Sequence, residues 1–146
     1  MSPAKAALLA EIHRQGFREP DWRHKDPLPI VSIEQFFDGN DDTYSIAANL
    51  EPHPPLAVIR AALERIRSRA DVADVLVEIY DIHDAEHVDE SWPYSDKVYV
   101  ISSAPGADAI LWNQELQADG PVEGWAFSPP PVDVPEHHRV WQIIWD

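Results

Sequence analysis

The chain has 146 residues, no cysteine and a formal charge of -15; this length suits one domain that buries roughly 68–70% of its unfolded surface. Without cysteine there are no disulfides, thiolate metal sites or cysteine nucleophiles. No apolar run approaches the ~18 residues of a membrane span and no signal-peptide core follows Met1, so a single cytoplasmic domain over residues 1–146 is expected.

Ser2-Pro3 caps and opens a helix with Ala4, Leu8, Leu9 and Ile12 on one stripe, ended by Gly16. Residues 18–29 are charged and broken by prolines, which predicts an extended arm that joins no sheet; residues 1–29 form an N-terminal extension and 30–146 the core. Ile30 to Phe37 reads as a short strand and helical turn, followed by the turn residues Asp38 to Asp42. Ser45–Leu50 then reads as a strand. Pro54-Pro55 opens a helix with Leu56, Ile59, Leu63 and Ile66 inward and Arg60, Arg65, Arg67 and Arg69 outward. Two strands follow, Val72–Ile82 and Lys97–Ser102, then a helix from Ser103 and Pro105 to about Gln117. After a Pro-rich loop, Arg139–Trp145 closes the chain as a strand.

The predicted fold is α+β, a ferredoxin-like β-α-β-β-α-β antiparallel sheet with two helices on one face, plus the N-terminal helix and Pro-rich arm. Alternation places Leu76, Tyr80, Ile82, Tyr99, Ile101, Trp141, Ile143 and Trp145 on the sheet's second face. So apolar a face needs cover. The N-terminal helix and arm, with Leu8, Ile12, Phe17 and Trp22, are expected to supply it, or else a second subunit.

Residues 71–146 hold 16 acidic groups against 2 basic ones, whereas residues 1–70 hold 10 against 9. That field repels phosphate and anionic lipid and attracts a basic protein, so neither nucleic acid nor membrane is expected as a partner. The exposed partner-binding candidates are Asp84, Glu86, Asp89 and Glu90, with Trp92 and Trp125 as loop anchors. His83-Asp-Ala-Glu-His87 matches the H-x-x-E-H string of inverted zinc peptidases, but it lacks a long helix to hold it and reads as a solvated acidic loop. His83 and His87 remain the metal-ligand candidates. Asp38, Asn40 and Asp42 start like a calcium loop, yet Thr43 and Asn49 stand where that loop needs Gly and Glu. His137 and His138 beside Glu136 read as surface residues. No catalytic residue and no cofactor is expected.

At Phe36-Phe37-Asp38-Gly39-Asn40-Asp41-Asp42, Ser45-Ile46, Asn49-Leu50, Trp92-Pro93-Tyr94-Ser95-Asp96 and Trp145-Asp146, the chain resembles a group of small acidic bacterial proteins, over about residues 28–146. It is also similar in size and acidity to toxin-immunity proteins. The resemblance implies a non-enzymatic acidic binding protein, an immunity-type inhibitor of a basic protein. A small metal-dependent or His-based hydrolase and a homodimer joined through its sheet faces are the alternatives.

Overall fold

The computed structural model describes residues 1–18 and 26–146. In chain order the elements are α1 (Pro3–Arg14), β1 (Ile30–Ser32), α2 (Ile33–Phe37), α3 (Leu56–Arg67), β2 (Val72–Glu78), α4 (His83–His87), β3 (Lys97–Ser102), α5 (Gly106–Glu115), β4 (Val122–Glu123) and β5 (Arg139–Ile144). They form an α+β fold whose open antiparallel sheet has the order β1-β2-β3-β5-β4. The main strands therefore neighbour each other in chain order. A split β-α-β plan would interleave them, so the expected ferredoxin-like arrangement gives way to a meander with helical excursions.

Three expected elements differ. Ser45–Leu50 is no strand: Thr43–Ser45 is a turn of 3-10 helix, Ile46 makes one parallel bridge to Ser95, and Ala47 has φ 56°. The Ile46 carbonyl that a ladder would use lies 2.7 Å from His53 Nε2 instead. The strand expected to reach Ile82 stops at Glu78, and 83–87 is a single helical turn rather than a loop. Its Ala85 is buried, Asp81 accepts from the His83 N–H at 2.8 Å, and the buried Lys5 ammonium donates to the Val88 carbonyl at 2.8 Å. Contact from α1, which local sequence cannot show, supports that turn.

The arm joins the sheet after all. Pro29, which needs no N–H for it, accepts from the Ile79 N–H at 2.9 Å, and the outward side of β1 is closed by a side chain. Gln15 accepts from the Ile30 N–H at 3.0 Å and donates to the Ile30 carbonyl at 2.8 Å, as a neighbouring strand would. Glu11 accepts from Arg14 and Gln15 and so fixes the amide, and these bonds hold its carboxyl down at about 2. Gln15→Ala, which strands two backbone groups, is expected to cost about 1–3 kcal/mol in chemical denaturation.

The principal core lies on one sheet face. Val31, Val75, Val77, Val98, Val100 and Ile143 meet Leu8 and Ile12 of α1, Phe36 of α2, Leu63 of α3 and Trp112 of α5. The helix of the N-terminal extension thus packs with the others and does not cover the second face. That face carries Leu76, Tyr99, Ile101 and Val140, and Ile30, Trp125 and Val132 pack against it. The cover is therefore the Pro-rich segment before β5, joined by the end of the arm at Pro27 and Leu28. Trp22 lies outside the described residues. The β5 register also differs by one: Trp141 pairs with Val100 and Gln142 with Tyr99, so Trp141, Ile143 and Trp145 belong to the principal core. The apolar face on which a sheet-face homodimer was expected is thus packed against residues of the same chain.

Candidate functional site

The segments that carried the resemblance converge at one end of the sheet. Asn40 receives the Asp42 N–H at 2.9 Å and donates to Ser45 Oγ at 2.9 Å, while Asp42 Oδ2 accepts from the Trp92 N–H at 3.1 Å. The Ser95 N–H donates to the Ser45 carbonyl at 2.8 Å, and the Trp145 N–H to the Asp96 carbonyl at 2.9 Å. Asn49 closes the ring by donating to the Asp146 carbonyl at 2.9 Å. Gly39 has φ 77°, and a Cβ there would sit 2.9 Å from that of Ala4, so this turn requires glycine against α1.

Two tyrosines lie within this end. The Tyr80 and Tyr94 rings are 6.4 Å apart at a tilt of 32°, both half-buried, and the Tyr94 hydroxyl contacts Asp84 at 3.3 Å. Burial pushes both phenols up; Asp96 and Asp81 add to this at Tyr80, and Asp42 and Asp84 at Tyr94. Burial likewise raises the Asp96 carboxyl, against the pull of Lys97 and with a further push from Asp146. Five carboxylates thus act on one aromatic pair or on each other.

The described arginines and lysines are bonded elsewhere. Arg14 pairs with Glu11, Arg18 with Asp26, Arg60 with Asp38 and Glu64, Arg65 with Glu115, Arg67 with Glu34, Arg69 with Asp71 and Asp108, and Arg139 with Glu123. Lys97 is taken by Glu78, and Lys5 by backbone carbonyls. Among the described residues, Asp42, Asp81, Asp84, Asp96 and Asp146 have no Lys or Arg in an ion pair. Such an aromatic pair among carboxylates that have no described ion pair suits a cation presented from outside.

Asp84, Glu86, Asp89 and Glu90 are exposed on and after α4, with Glu86 3.1 Å from His13 Nε2. Trp92, expected as an exposed anchor, is 3% exposed and belongs to the principal core. Trp125 is half-buried with its ring 4.7 Å from that of Tyr99, on the opposite sheet face from the core. The His83 and His87 rings are 4.8 Å apart, as an i, i+4 pair on α4 requires. Among the described residues no group of three His, Cys, Asp or Glu is placed to hold a metal ion. His137 is exposed beside Glu136, and the 38–42 segment is the expected turn. No helix of the described residues is long and apolar enough to cross a membrane.

Sequence reasoning missed a second polar cluster, on the covered face. Glu78 and Tyr99 are each 2% exposed; the Tyr99 hydroxyl donates to Glu78 Oε1 at 2.7 Å, and Lys97 Nζ lies 3.6 Å from Oε2. Burial raises the Glu78 carboxyl against the pull of Lys97 and of the Tyr99 bond, and it raises the Tyr99 phenol well above its usual value. The signal available in advance was a Glu inside a β-branched run, opposite Lys97 in a strand pair. Beside the cluster, a groove of about 510 Å³ runs along Leu28, Ile30, Leu76 and Val132.

No solved structure matches this chain. The chain is 35% identical, over 101 residues, to a protein of Escherichia coli (strain K12) described as "Uncharacterized protein YfbO", covering 68% of this chain and 69% of that one. A family model described as "Uncharacterized protein YfbO family" matches residues 4–143, which takes in α1 as well as the segments of the tyrosine site. The shared fabric is therefore nearly the whole domain, and the chain belongs to the YfbO family.

Proposed function

We propose that this protein is a non-enzymatic acidic binding protein that docks a basic protein on the end of the sheet around Tyr80 and Tyr94, in the manner of an immunity-type inhibitor. The observation that carries the reading is the segregation of charge: the described arginines are held in pairs, while Asp42, Asp81, Asp84 and Asp96 act on the tyrosines, and Asp146 on Asp96, with no Lys or Arg in an ion pair with any of the five among the described residues. The exposed carboxylates of Asp84, Glu86, Asp89 and Glu90 steer the approach. The anchor role moves from Trp92 to the two half-buried phenol rings, since a side chain in the core offers no surface.

An arginine- and lysine-rich peptide, titrated by heteronuclear NMR and stopped flow, tests this. The expected result is shift changes centred on Tyr80 and Tyr94. Replacing Asp84, Glu86, Asp89 and Glu90 by their amides lowers the association rate about tenfold or more, as does raising salt until the screening length falls well below its physiological ~8 Å. Tyr94→Ala mainly raises the dissociation rate. Association indifferent to salt and to the four amides, or shifts centred away from the tyrosines, overturns the reading.

A further inference from the structure

The second sheet face holds a buried carboxyl under a loosely attached cover. Among the described residues Glu78 receives one hydrogen bond, from Tyr99 at 2.7 Å, and its other oxygen stands 3.6 Å from Lys97 Nζ, beyond hydrogen-bond length. A carboxylate has about four acceptor sites, so burial leaves it poorly solvated when charged. The segment above it runs from Gly124 to Val132. Its Gly124 is tied to β5, the N–H donating to the Val140 carbonyl and the carbonyl accepting from Gln142, both at 2.8 Å, its Ala126 N–H reaches the Tyr99 hydroxyl at 3.4 Å, and its Trp125 ring lies 4.7 Å from that of Tyr99 at a tilt of 58°. Lys97 Nζ sits 5.7 Å from the centre of the Phe127 ring. Pro129, Pro130 and Pro131 have no N–H for the sheet, and Gly124, at φ 98°, has open space around its α-carbon.

We propose that residues 124–132 are a cover hinged at Gly124, whose lifting from the sheet is coupled to ionisation of the Glu78 carboxyl sealed beneath it. The groups that face Glu78 make the coupling specific. From β3 come Lys97 and Tyr99, with Asp96 next along the chain; β1 contributes Ile30, the arm Pro27 and Leu28, and the cover Trp125, Phe127 and Ser128, none of which titrates. Lifting the cover gives the carboxylate water. Closing returns it to a site that favours the protonated form.

The sign follows. Burial raises the closed-state value of Glu78 above its ordinary one. The closed state's advantage is therefore complete below the ordinary carboxyl range and is lost as pH rises through the raised value. Between the two, the opening constant climbs by up to about tenfold per pH unit. Opening bares Leu76, Tyr99, Ile101 and Val140 and widens the adjoining groove.

The full chain labelled with 5-fluorotryptophan tests this by ¹⁹F NMR, with the Trp125 signal assigned through Trp125→Phe and its exposure read by solvent isotope shift and amide exchange of Ala126 and Ser128. From pH 4.5 to 8, exposure and intrinsic-rate-corrected exchange rise in the parent, whereas Glu78→Gln, which keeps an acceptor for Tyr99, is expected to remain closed and flat. Lys97→Met, which removes the charge that favours ionised Glu78, moves the parent's transition to higher pH. A parent profile flat with pH overturns the proposal, and so does a Glu78→Gln protein that still opens as pH rises.

Discussion

Trp92→Ala is expected to lower stability by about 3–5 kcal/mol, the range for removing a large aromatic from a packed core. Trp92 is 3% exposed within the principal core, its ring tip lies near Gly39, and its backbone N–H ties the 91–96 segment to Asp42. For a domain of this length each kcal/mol shifts the melting temperature by about 2–4 °C, so the loss is plain in a thermal or denaturant scan. Peptide affinity of the fraction still folded should change far less than with Tyr94→Ala. A variant as stable as the parent but weak in binding would return Trp92 to the docking surface.

Lys97→Ala is expected to cost up to about 3–5 kcal/mol at neutral pH, because it leaves the Glu78 carboxylate without its counter-charge, and protonation of Glu78 or lifting of its cover relieves part of that cost. The Lys97 side chain is 14% exposed and that of Glu78 3%. The defect should shrink as pH falls, since burial already raises Glu78 and a protonated carboxyl needs no cation. A double variant, Lys97→Met with Glu78→Gln, removes both charges, keeps most of the volume and should recover most of the loss. Denaturant unfolding of the parent and both variants at pH 7 and 4.5 checks this. Equal destabilisation of single and double variants would show that Lys97 acts by packing alone.

Where neighbouring residues decide, the sequence was readable. Lys97–Ser102 is the strand its alternation predicts, the helix at Leu56–Arg67 has the expected inward stripe, and Ser2 caps α1. Where a distant partner decides, it was not. Ile46 has strand character, yet His53 and Ser95 take its neighbourhood. A polar string at 83–87 becomes helical because Ala85 is buried and Lys5, 83 positions from Val88, supports its end. The β5 register places Trp141 opposite Val100 and Gln142 opposite Tyr99, and an alternating strand with bulky residues throughout has no internal mark of which set faces the core. At the candidate site, the acidity of the second half and four exposed carboxylates were legible. The pairing of the described arginines away from the tyrosine end was a property of the fold.

Gln15 has a consequence for how copies of this protein behave when crowded. Its amide occupies the outward hydrogen-bonding groups of Ile30 as a peptide unit would, and the next outward N–H, of Ser32, is taken by Gln35 at 2.8 Å. At the other margin β4 spans two residues and follows Pro121. Neither margin presents the run of free backbone groups that lets one chain template the next. The apolar strands between them can therefore be rich in Val and Ile without seeding fibrils, and a loss of Gln15 should reveal itself first in slow thioflavin-positive growth of concentrated samples.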